Sequence, residues 1–258
     1  MDSLRQADNI FAKSFITVDP YLDIRAFAKV GNLDNSANLA KANARAIADG
    51  RGLYIPPQTF KIASNVNFTV PVRGEGATLS IIENTGVGDA ITFSGLPYHS
   101  VCKDFGIKGN ASSRDGLVLP TNTSYCQFND IYSYGHGRHG LNHRASWATK
   151  YFNSKFFENG GIGALFDTQS GDPGTQNGVS LIQCEMRWNG GMSAGTTFSD
   201  AKGGVVINGG TCFTIDDCII ESNNAWQILT GQNTYQSLQT LNILNSYIEG
   251  RPTSSATV

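Results

Sequence analysis

Glutamate residues recur near the ends of several similar segments of the chain. When these segments are aligned on their closing residues, three glutamates fall in one outward-facing column: Glu158, Glu221 and Glu249. If the segments stack as strands, Glu221 and Glu249 lie about 4.8 Å apart along the backbone, and Glu158 lies about 9–10 Å from Glu221. Two carboxyl groups at such separations can hydrolyse a glycosidic bond, one as acid and the other as base or nucleophile. Three more carboxylates on neighbouring columns could supply the second group: Asp216, Asp217 and Glu185.

The segment between those that carry Glu158 and Glu221 offers two residues for the same column. The alternation of apolar and polar residues puts Arg187 there, whereas counting back from Asn189 puts Trp188 there. A slip of one residue reverses the face of a strand, so both alternatives stay open. Either side chain suits a sugar site, because a Trp ring offers a stacking surface and a guanidinium binds acidic sugars.

A second candidate group is rich in aromatic and basic side chains. It holds three of the four histidines within eight positions, and its members are Tyr132, Tyr134, His136, Arg138, His139, His143 and Trp147. A lyase acting on uronic acids needs a base and a cation that stabilises the enolate, and these residue types can provide both. No cysteine or carboxylate completes a metal site in this group, so neither a metal nor a cofactor is expected. Trp226 is a further stacking candidate on a later segment.

The segments that carry these residues resemble one another. Each is a short run of alternating apolar and polar residues closed by Gly or Asn, and they lie at 101–110, 126–137, 151–161, 181–191, 213–224 and 241–250. A unit this short buries its apolar face only when copies stack along one axis. The sequence therefore predicts an all-β chain folded as a right-handed parallel β-helix, with Asn and Gly at corners that need a positive φ.

The chain divides into four parts by pattern. Residues 1–20 show no repeat and are expected to be disordered or to attach to another protein, and 251–258 form a tail. Residues 21–88 form a capping region and the first turns, and 89–250 form the β-helix. Leu39, Ala40, Ala46 and Ile47 fall on one face of a short helix that can cover the open end. Two glycine-rich insertions, 167–178 and 192–202, should become loops beside the binding face.

Composition excludes several classes of function. The formal net charge is −2 and charged residues make up only 16%, which gives no basis for binding nucleic acid. No apolar run is long enough to span a membrane, and the first residues lack the apolar core of a signal peptide. The odd number of cysteines, five, and their places in or beside strand runs predict buried free thiols.

Residues 23–60 resemble the opening of the pectate-lyase-like β-helix family of phage tailspikes and polysaccharide lyases and hydrolases. Residues 23–29 read DIRAFAK, an Ala-rich helical stretch follows at 44–48, and a strand at 53–60 ends the motif. The chain departs from the family pattern at Ala28 and Gln58, where the family has Gly. This motif specifies the fold and carries no catalytic residue.

The resemblance implies a homotrimeric phage tail protein of the virion that recognises a bacterial surface polysaccharide and attaches to other tail proteins through residues 1–20. Two classes of function follow from it. The first is a polysaccharide-degrading enzyme, with hydrolysis preferred over lyase chemistry. The second is a non-catalytic tail component or adhesin with the same fold.

Overall fold

A computed structural model of the protein describes residues 19–120, 123–167, 176–190, 202–231 and 238–250. Its strands pair in parallel and wind into a β-helix with three faces, which confirms the predicted fold. All six repeated segments stack in register along one axis, as their alternation predicted. Across the described part of the chain, no helix has both the length and the apolar content that a membrane span requires.

The strands are grouped here by the face on which they lie. The first face contains Tyr21–Asp23, Gly52–Tyr54, Val72–Arg73, Lys150–Phe152, Ser180–Ile182, Phe213–Asp216 and Leu241–Leu244. The second face contains Thr59–Ile62, Ile81–Asn84, Lys155–Phe157, Glu185–Arg187, Ile219–Glu221 and Tyr247–Glu249. Two longer strands bend from the first face into the second, Val101–Lys108 and Gln127–Tyr134. The third face contains Val66–Phe68, Ile91–Phe93, Leu117–Leu119, Leu141–His143, Ile162–Asp167, Gly203–Asn208 and Trp226–Gly231.

One α-helix, Ser36–Asp49, closes the N-terminal end of the described β-helix. Its Ala-rich sequence favours a helix, and its buried side chains, Leu39 and Ala46 among them, join the core of the first turns. Ala40 and Ile47, predicted on the same face, are exposed instead. The helix ends at Gly50, which has a left-handed φ of 64° and donates its N–H to the carbonyls of Ala46 and Ile47. The predicted capping helix is therefore present, and it covers apolar residues that the first turn would otherwise expose.

Aromatic rings run through the core along the solenoid axis. Ring centroids of successive members lie 5.4–6.2 Å apart in the series Phe68, Phe93, Phe128, Tyr151, Phe166 and Phe213. Each ring comes from an inward position of a different strand and is fully or almost fully buried. Aromatic pairs at these separations add stability beyond the area that they bury, so this series ties neighbouring turns together.

Each corner of the β-helix is a column of residues with positive φ. At the first corner, between the first and second faces, φ lies between 48° and 63° for Asp104, Asp130, Asn153, Gln183, Asp217 and Asn245. One such residue lets the chain change direction without a loop, which keeps the turns in register. Asn153 and Asn245 agree with the predicted role of asparagine at corners.

At the second corner, between the second and third faces, the prediction for asparagine was wrong. The positive φ belongs to Glu158, Trp188 and Ser222, and the asparagines that follow them point inward and are buried. Asn159 Nδ2 donates to Asn189 Oδ1 at 3.0 Å, and Asn189 Nδ2 donates to the Asn223 side chain at 2.9 Å. The asparagines are needed inside because their amides satisfy buried polar groups of neighbouring turns, which are costly to leave unpaired.

All five cysteines are free thiols, as predicted, and four of them are buried. Cys184 and Cys218 lie inside the β-helix, and the backbone N–H of Cys184 donates to Cys218 Sγ at 3.4 Å. Cys212 is exposed at a corner, contrary to the expectation that all five are buried. The corner turns its side chain away from the core.

A thiol titration should therefore give two different counts. In the folded protein we expect only Cys212 to react rapidly, since burial raises the pKa of Cys102 to about 12 and of Cys126 to about 11. After denaturation without reductant, five thiols should react. A denatured count below five would reveal a disulfide and contradict the structure.

Candidate functional site

Two outward columns of side chains run along the second face. Alternation within each strand sends every second residue outward, and parallel register aligns these residues between turns. The first column is Tyr132, Lys155, Glu185, Ile219 and Tyr247. The second is Glu83, Lys108, Tyr134, Phe157, Arg187, Glu221 and Glu249.

The second column settles the two alignments that the sequence left open. Glu221 and Glu249 are direct register partners, as predicted, and Arg187 precedes them in the column. Glu158 does not belong to the column, because Phe157 takes that place. Glu158 instead occupies the second corner, with Trp188 in the next turn. The alignment failed because the corner residue is one position before the inward asparagine, whereas Glu221 is two positions before it.

Acidic and basic side chains alternate along this face and neutralise one another. Lys155 Nζ lies 2.8 Å from Glu185 Oε1, and Arg187 Nε lies 3.5 Å from Glu185 Oε2. Arg187 Nε also lies 3.2 Å from Glu221 Oε1. The charges of these four side chains therefore balance one another within the face.

Three aromatic rings form a platform on the same face. The rings of Tyr134 and Phe157 are stacked, with centroids 5.0 Å apart and planes 4° from parallel. Tyr132 meets Phe157 edge-on at 6.3 Å, and Lys155 Nζ lies 5.2 Å from the Tyr132 centroid. Sequence reasoning found both tyrosines but not Phe157, whose outward direction depends on the register.

A carboxylate pair that sequence reasoning missed lies at the first corner beside this platform. Asp104 and Asp130 occupy equivalent positions of successive turns, with φ of 63° and 53°. Lys103 Nζ lies 3.3 Å from Asp104 Oδ2. Tyr132 of the platform is two residues after Asp130. The repeat contained the signal, because each aspartate stands two residues after one of the register partners Cys102 and Phe128.

The environment of Asp130 favours its neutral form. Burial, and then the negative charge of Asp104, raise the pKa of the Asp130 carboxyl. Residues 74–80 cover this corner, and the Ala77 backbone hydrogen-bonds the Asp130 carboxyl. Gly74 N–H donates to Lys103 O at 2.9 Å, and Gly76 N–H donates to Asp104 O at 2.9 Å. A Cβ on Gly74 would lie 2.0 Å from the Asp104 carbonyl oxygen, so only glycine fits there.

The aromatic and basic group at 132–147 does not form one site. His136 is buried at the second corner, where its backbone N–H donates to Asn159 Oδ1 at 3.1 Å, and burial lowers the pKa of its ring to about 4. Arg138 forms two hydrogen bonds to the buried carboxylate of Asp115. His139 Nδ1 accepts the N–H of Ile162 at 3.1 Å, and burial lowers its pKa to about 4.

The proposed lyase centre is therefore not assembled, because its bases and its cation are used inside the fold. His143 is buried, where Tyr151 Oη lies 3.0 Å from its Nδ1, and Trp147 lies at a different corner. Only Tyr132 and Tyr134 of this group reach the second face. Residues that are close in sequence are separated here because the chain crosses a corner at every few positions.

The remaining candidates lie on several surfaces. Asp216 faces outward on the first face and accepts from Asn245 Nδ2 at 3.1 Å, and Asp217 stands at the first corner, where it accepts from Gln183 Nε2 at 3.1 Å. Trp226 begins a strand of the third face and is about half exposed. Almost all of the two insertions, 168–175 and 191–201, lie outside the described residues, as do 1–18 and 251–258. Among the residues that are described, no three His, Cys, Asp or Glu side chains come together as a metal site would require.

No protein-family model and no curated protein sequence matches this chain. Solved structures do match it. ORF18 of Geobacillus virus E2 superposes with a TM-score of 0.59 at 16% identity, over 88% of this chain and 53% of that one. The enzymatically active domain of tailspike protein 2 of bacteriophage CBA120 gives 0.55 at 14% identity, over 91% and 43%.

A third similar structure is the A-module of the mannuronan C-5 epimerase AlgE4 of Azotobacter vinelandii. Its TM-score is 0.54 at 16% identity, and the match covers 87% of this chain and 76% of that one. The chain spans about half the length of the two viral proteins that it matches. At these identities the likeness concerns the fold: the chain has the parallel β-helix fold seen in phage tailspikes and in polysaccharide-acting enzymes.

Proposed function

We propose that this protein is a phage tailspike-type depolymerase that binds a bacterial surface polysaccharide, a capsule or an O-antigen, along its second face and hydrolyses it. The observation that carries the proposal is the aromatic platform of Tyr132, Tyr134 and Phe157 directly beside the Asp104–Asp130 pair. Aromatic rings hold the faces of pyranose rings, and paired carboxyls cleave the bonds between them. The structural likeness to tailspikes and polysaccharide-acting enzymes supports this class of substrate.

Within this proposal, Asp130 is the general acid and Asp104 the nucleophile. Asp130 gives its proton to the glycosidic oxygen as the bond to the anomeric carbon breaks. Asp104 attacks that carbon and forms a glycosyl ester, which water then hydrolyses while Asp130 takes up a proton. Register partners of adjacent turns lie about 4.8 Å apart, close to the roughly 5 Å carboxyl separation of retaining glycosidases. The proposal therefore includes retention of the anomeric configuration.

The glutamates of the second face have a binding role in this proposal. Glu185 and Glu221 are engaged in ion pairs with Lys155 and Arg187. A carboxylate held in an ion pair still accepts hydrogen bonds from sugar hydroxyls, which suits a binding role. Glu249 extends the same row, and Trp188, which is exposed beside Arg187, offers one more stacking surface. Glu158, exposed at the second corner, is assigned to the rim of this surface.

The assembly and location are part of the same proposal. A homotrimer on the phage tail, attached to other tail proteins through residues 1–20, is supported by the fold that the chain shares with tailspikes. Deleting residues 1–20 should abolish attachment to the tail and leave the folded β-helix intact. Sedimentation of the full chain would give the number of subunits.

Incubation of the protein with a panel of capsular and lipopolysaccharide glycans is the first test of function. We expect one or a few glycans to be shortened to oligosaccharides of regular size. NMR spectra recorded immediately after cleavage should show that the anomeric configuration is retained. If a glycan is bound and never cleaved, the protein is an adhesin or a non-catalytic tail component. If no glycan is bound or cleaved, the carbohydrate function itself is wrong.

A further inference from the structure

A strip of exposed aromatic side chains lies at the third corner, between the third and first faces, well away from the second face. Its members, here called the aromatic corner, are Tyr98, His99, Tyr125 and Trp147. Tyr98, Tyr125 and Trp147 are 69%, 42% and 50% exposed. The centroids of Tyr98 and Tyr125 lie 5.6 Å apart, and those of His99 and Tyr125 lie 5.8 Å apart. Exposed apolar patches of this kind mark interaction sites.

The strip follows the solenoid axis because its residues come from successive turns. His99 and Tyr125 each lie two residues before the register partners Val101 and Gln127. The backbone N–H of Tyr125 donates to the carbonyl of Trp147 at 2.6 Å. The N–H of Trp147 in turn donates to Ser124 Oγ at 3.0 Å, which fixes the backbone beneath the indole. Successive rings are therefore displaced along the axis by about one strand spacing, roughly 4.8 Å.

The backbone conformation at this corner disfavours large residues. Tyr125 has a φ of 57° and His99 a φ of 65°, a region in which a bulky side chain is uncommon. Two turns after Tyr125, Gly178 occupies the equivalent position with a φ of 69°. Since neither core packing nor the turn requires a ring at Tyr125, its side chain is free to serve binding.

The groups around the rings indicate the kind of partner. The column of Trp147 continues through Asn177 and Thr211 in the next two turns. An amide and a hydroxyl thus follow the indole, and none of these side chains carries a carboxylate, ammonium or guanidinium group. Aromatic faces lined by uncharged hydrogen-bonding groups fit the apolar faces and hydroxyls of neutral sugars.

We propose that the aromatic corner is a second polysaccharide-binding site, which holds a neutral stretch of the same polymer outside the cleavage site. This inference rests on the proposed function, because it takes the partner to be the polysaccharide bound on the second face. Binding one chain at two places raises the effective concentration of polymer at the second face. The site should therefore matter for long chains and not for oligosaccharides too short to reach both surfaces.

The test uses the full-length protein and the glycan of the panel that the wild type binds. Tyr125→Ala/Trp147→Ala should weaken binding to the intact polymer by about tenfold or more. Its affinity for short oligosaccharides released from that polymer should stay unchanged. Trp147→Phe keeps a ring and should retain most of the binding. Val87→Ala, which truncates another exposed apolar residue, serves as the matched control.

A spectroscopic readout locates the contact. The chain has three tryptophans, so Trp188→Phe/Trp226→Phe leaves Trp147 as the sole reporter. Its emission should change on addition of polymer and not on addition of short oligosaccharides.

Equal polymer affinity of the double alanine variant and the wild type would overturn the inference while leaving the proposed function standing. The inference would also be overturned if the double alanine variant changed the number of subunits without changing glycan binding. That outcome would make the aromatic corner an interface between protein chains. A wild type that binds no glycan would instead refute the proposed function.

Discussion

Asp115→Asn is expected to lower the free energy of unfolding by about 3 kcal/mol at neutral pH. The Asp115 side chain is fully buried, and it accepts hydrogen bonds from Arg138, from Asn142 Nδ2 at 2.7 Å and from the His139 N–H at 3.3 Å. The substitution removes the closest carboxylate of the Arg138 guanidinium and leaves it Asp89 at 3.9 Å. An amide also cannot accept the same set of donors. This loss is smaller than for a fully buried ion pair because the Arg138 side chain is 38% exposed.

The pH dependence of this loss has a defined direction. Burial alone would raise the pKa of Asp115, but hydrogen bonds from Arg138 and Asn142 hold the pKa below its usual value. The ionised carboxylate therefore stabilises the fold above the unfolded pKa near 4, and this stabilisation is lost as the pH falls through the lower folded pKa. The difference between wild type and variant should be largest near neutral pH and shrink below about pH 4.

Urea unfolding of both proteins at several pH values measures this difference. Asp49→Asn is the matched control, since Asp49 forms an exposed ion pair with Arg45 within the helix and its loss should cost below about 1 kcal/mol. A change in stability no larger than that of Asp49→Asn would show that the buried pair contributes little. His143, whose pKa burial lowers to about 3, weakens both proteins alike below about pH 6.5.

Asp130→Asn is expected to lower the depolymerisation rate by about a thousandfold while binding of the polysaccharide persists. The amide preserves the shape of the side chain but has no proton to give to the leaving oxygen, and general acid catalysis contributes about 10²–10⁴ in rate. Asp104→Asn should cause a similar loss, because it removes the nucleophile. Rates and affinities are to be measured on the glycan that the wild type cleaves.

Glu221→Gln is the matched comparison on the same face. It also replaces a carboxylate by an amide, but at a residue paired with Arg187 at 3.2 Å, so we expect weaker binding and a rate at saturation within about tenfold of wild type. If Glu221→Gln abolishes cleavage and Asp130→Asn does not, the catalytic pair is Glu221–Glu249 and the assignment made here is wrong.

Stability distinguishes a functional role of Asp130 from a structural one. Its pKa is raised in the folded protein by burial and by Asp104, so ionising it at neutral pH opposes folding, and the penalty disappears as the pH falls through the folded pKa. Asp130→Asn should therefore be at least as stable as the wild type at pH 7 despite losing activity. A strongly destabilised variant would point to a structural role.

The architecture could be predicted from the sequence because each turn contains the local pattern that determines its strands and corners. Alternation with a period of two, closed by Gly or Asn, recurs in every segment from 101 to 250. A strand pair that cannot bury its own apolar side must stack on another, and the parallel solenoid follows. The capping helix could also be predicted from the sequence, because its apolar spacing and its terminal Gly50 are local signals.

The site was predictable only in part, because its columns depend on what happens at corners. One corner residue of positive φ, such as Glu158 or Trp188, interrupts the alternation of inward and outward side chains. An alignment that misplaces this residue by one position assigns the neighbouring side chains to the wrong face. For this reason Glu158 left the column and Phe157 entered it. The burial of His136 could not be predicted from its residue type. Its ring occupies the inward position that asparagine occupies in later turns, and only the register shows this equivalence.

The Asp104–Asp130 pair shows what only the tertiary structure decides. The two residues are 26 positions apart, and neither is unusual among the chain's carboxylates until register places them in adjacent turns. The cover over Asp130 comes from a third place, residues 74–80. A local sequence pattern reports the strand to which a residue belongs, but its electrostatic environment is set by neighbours one or more turns away.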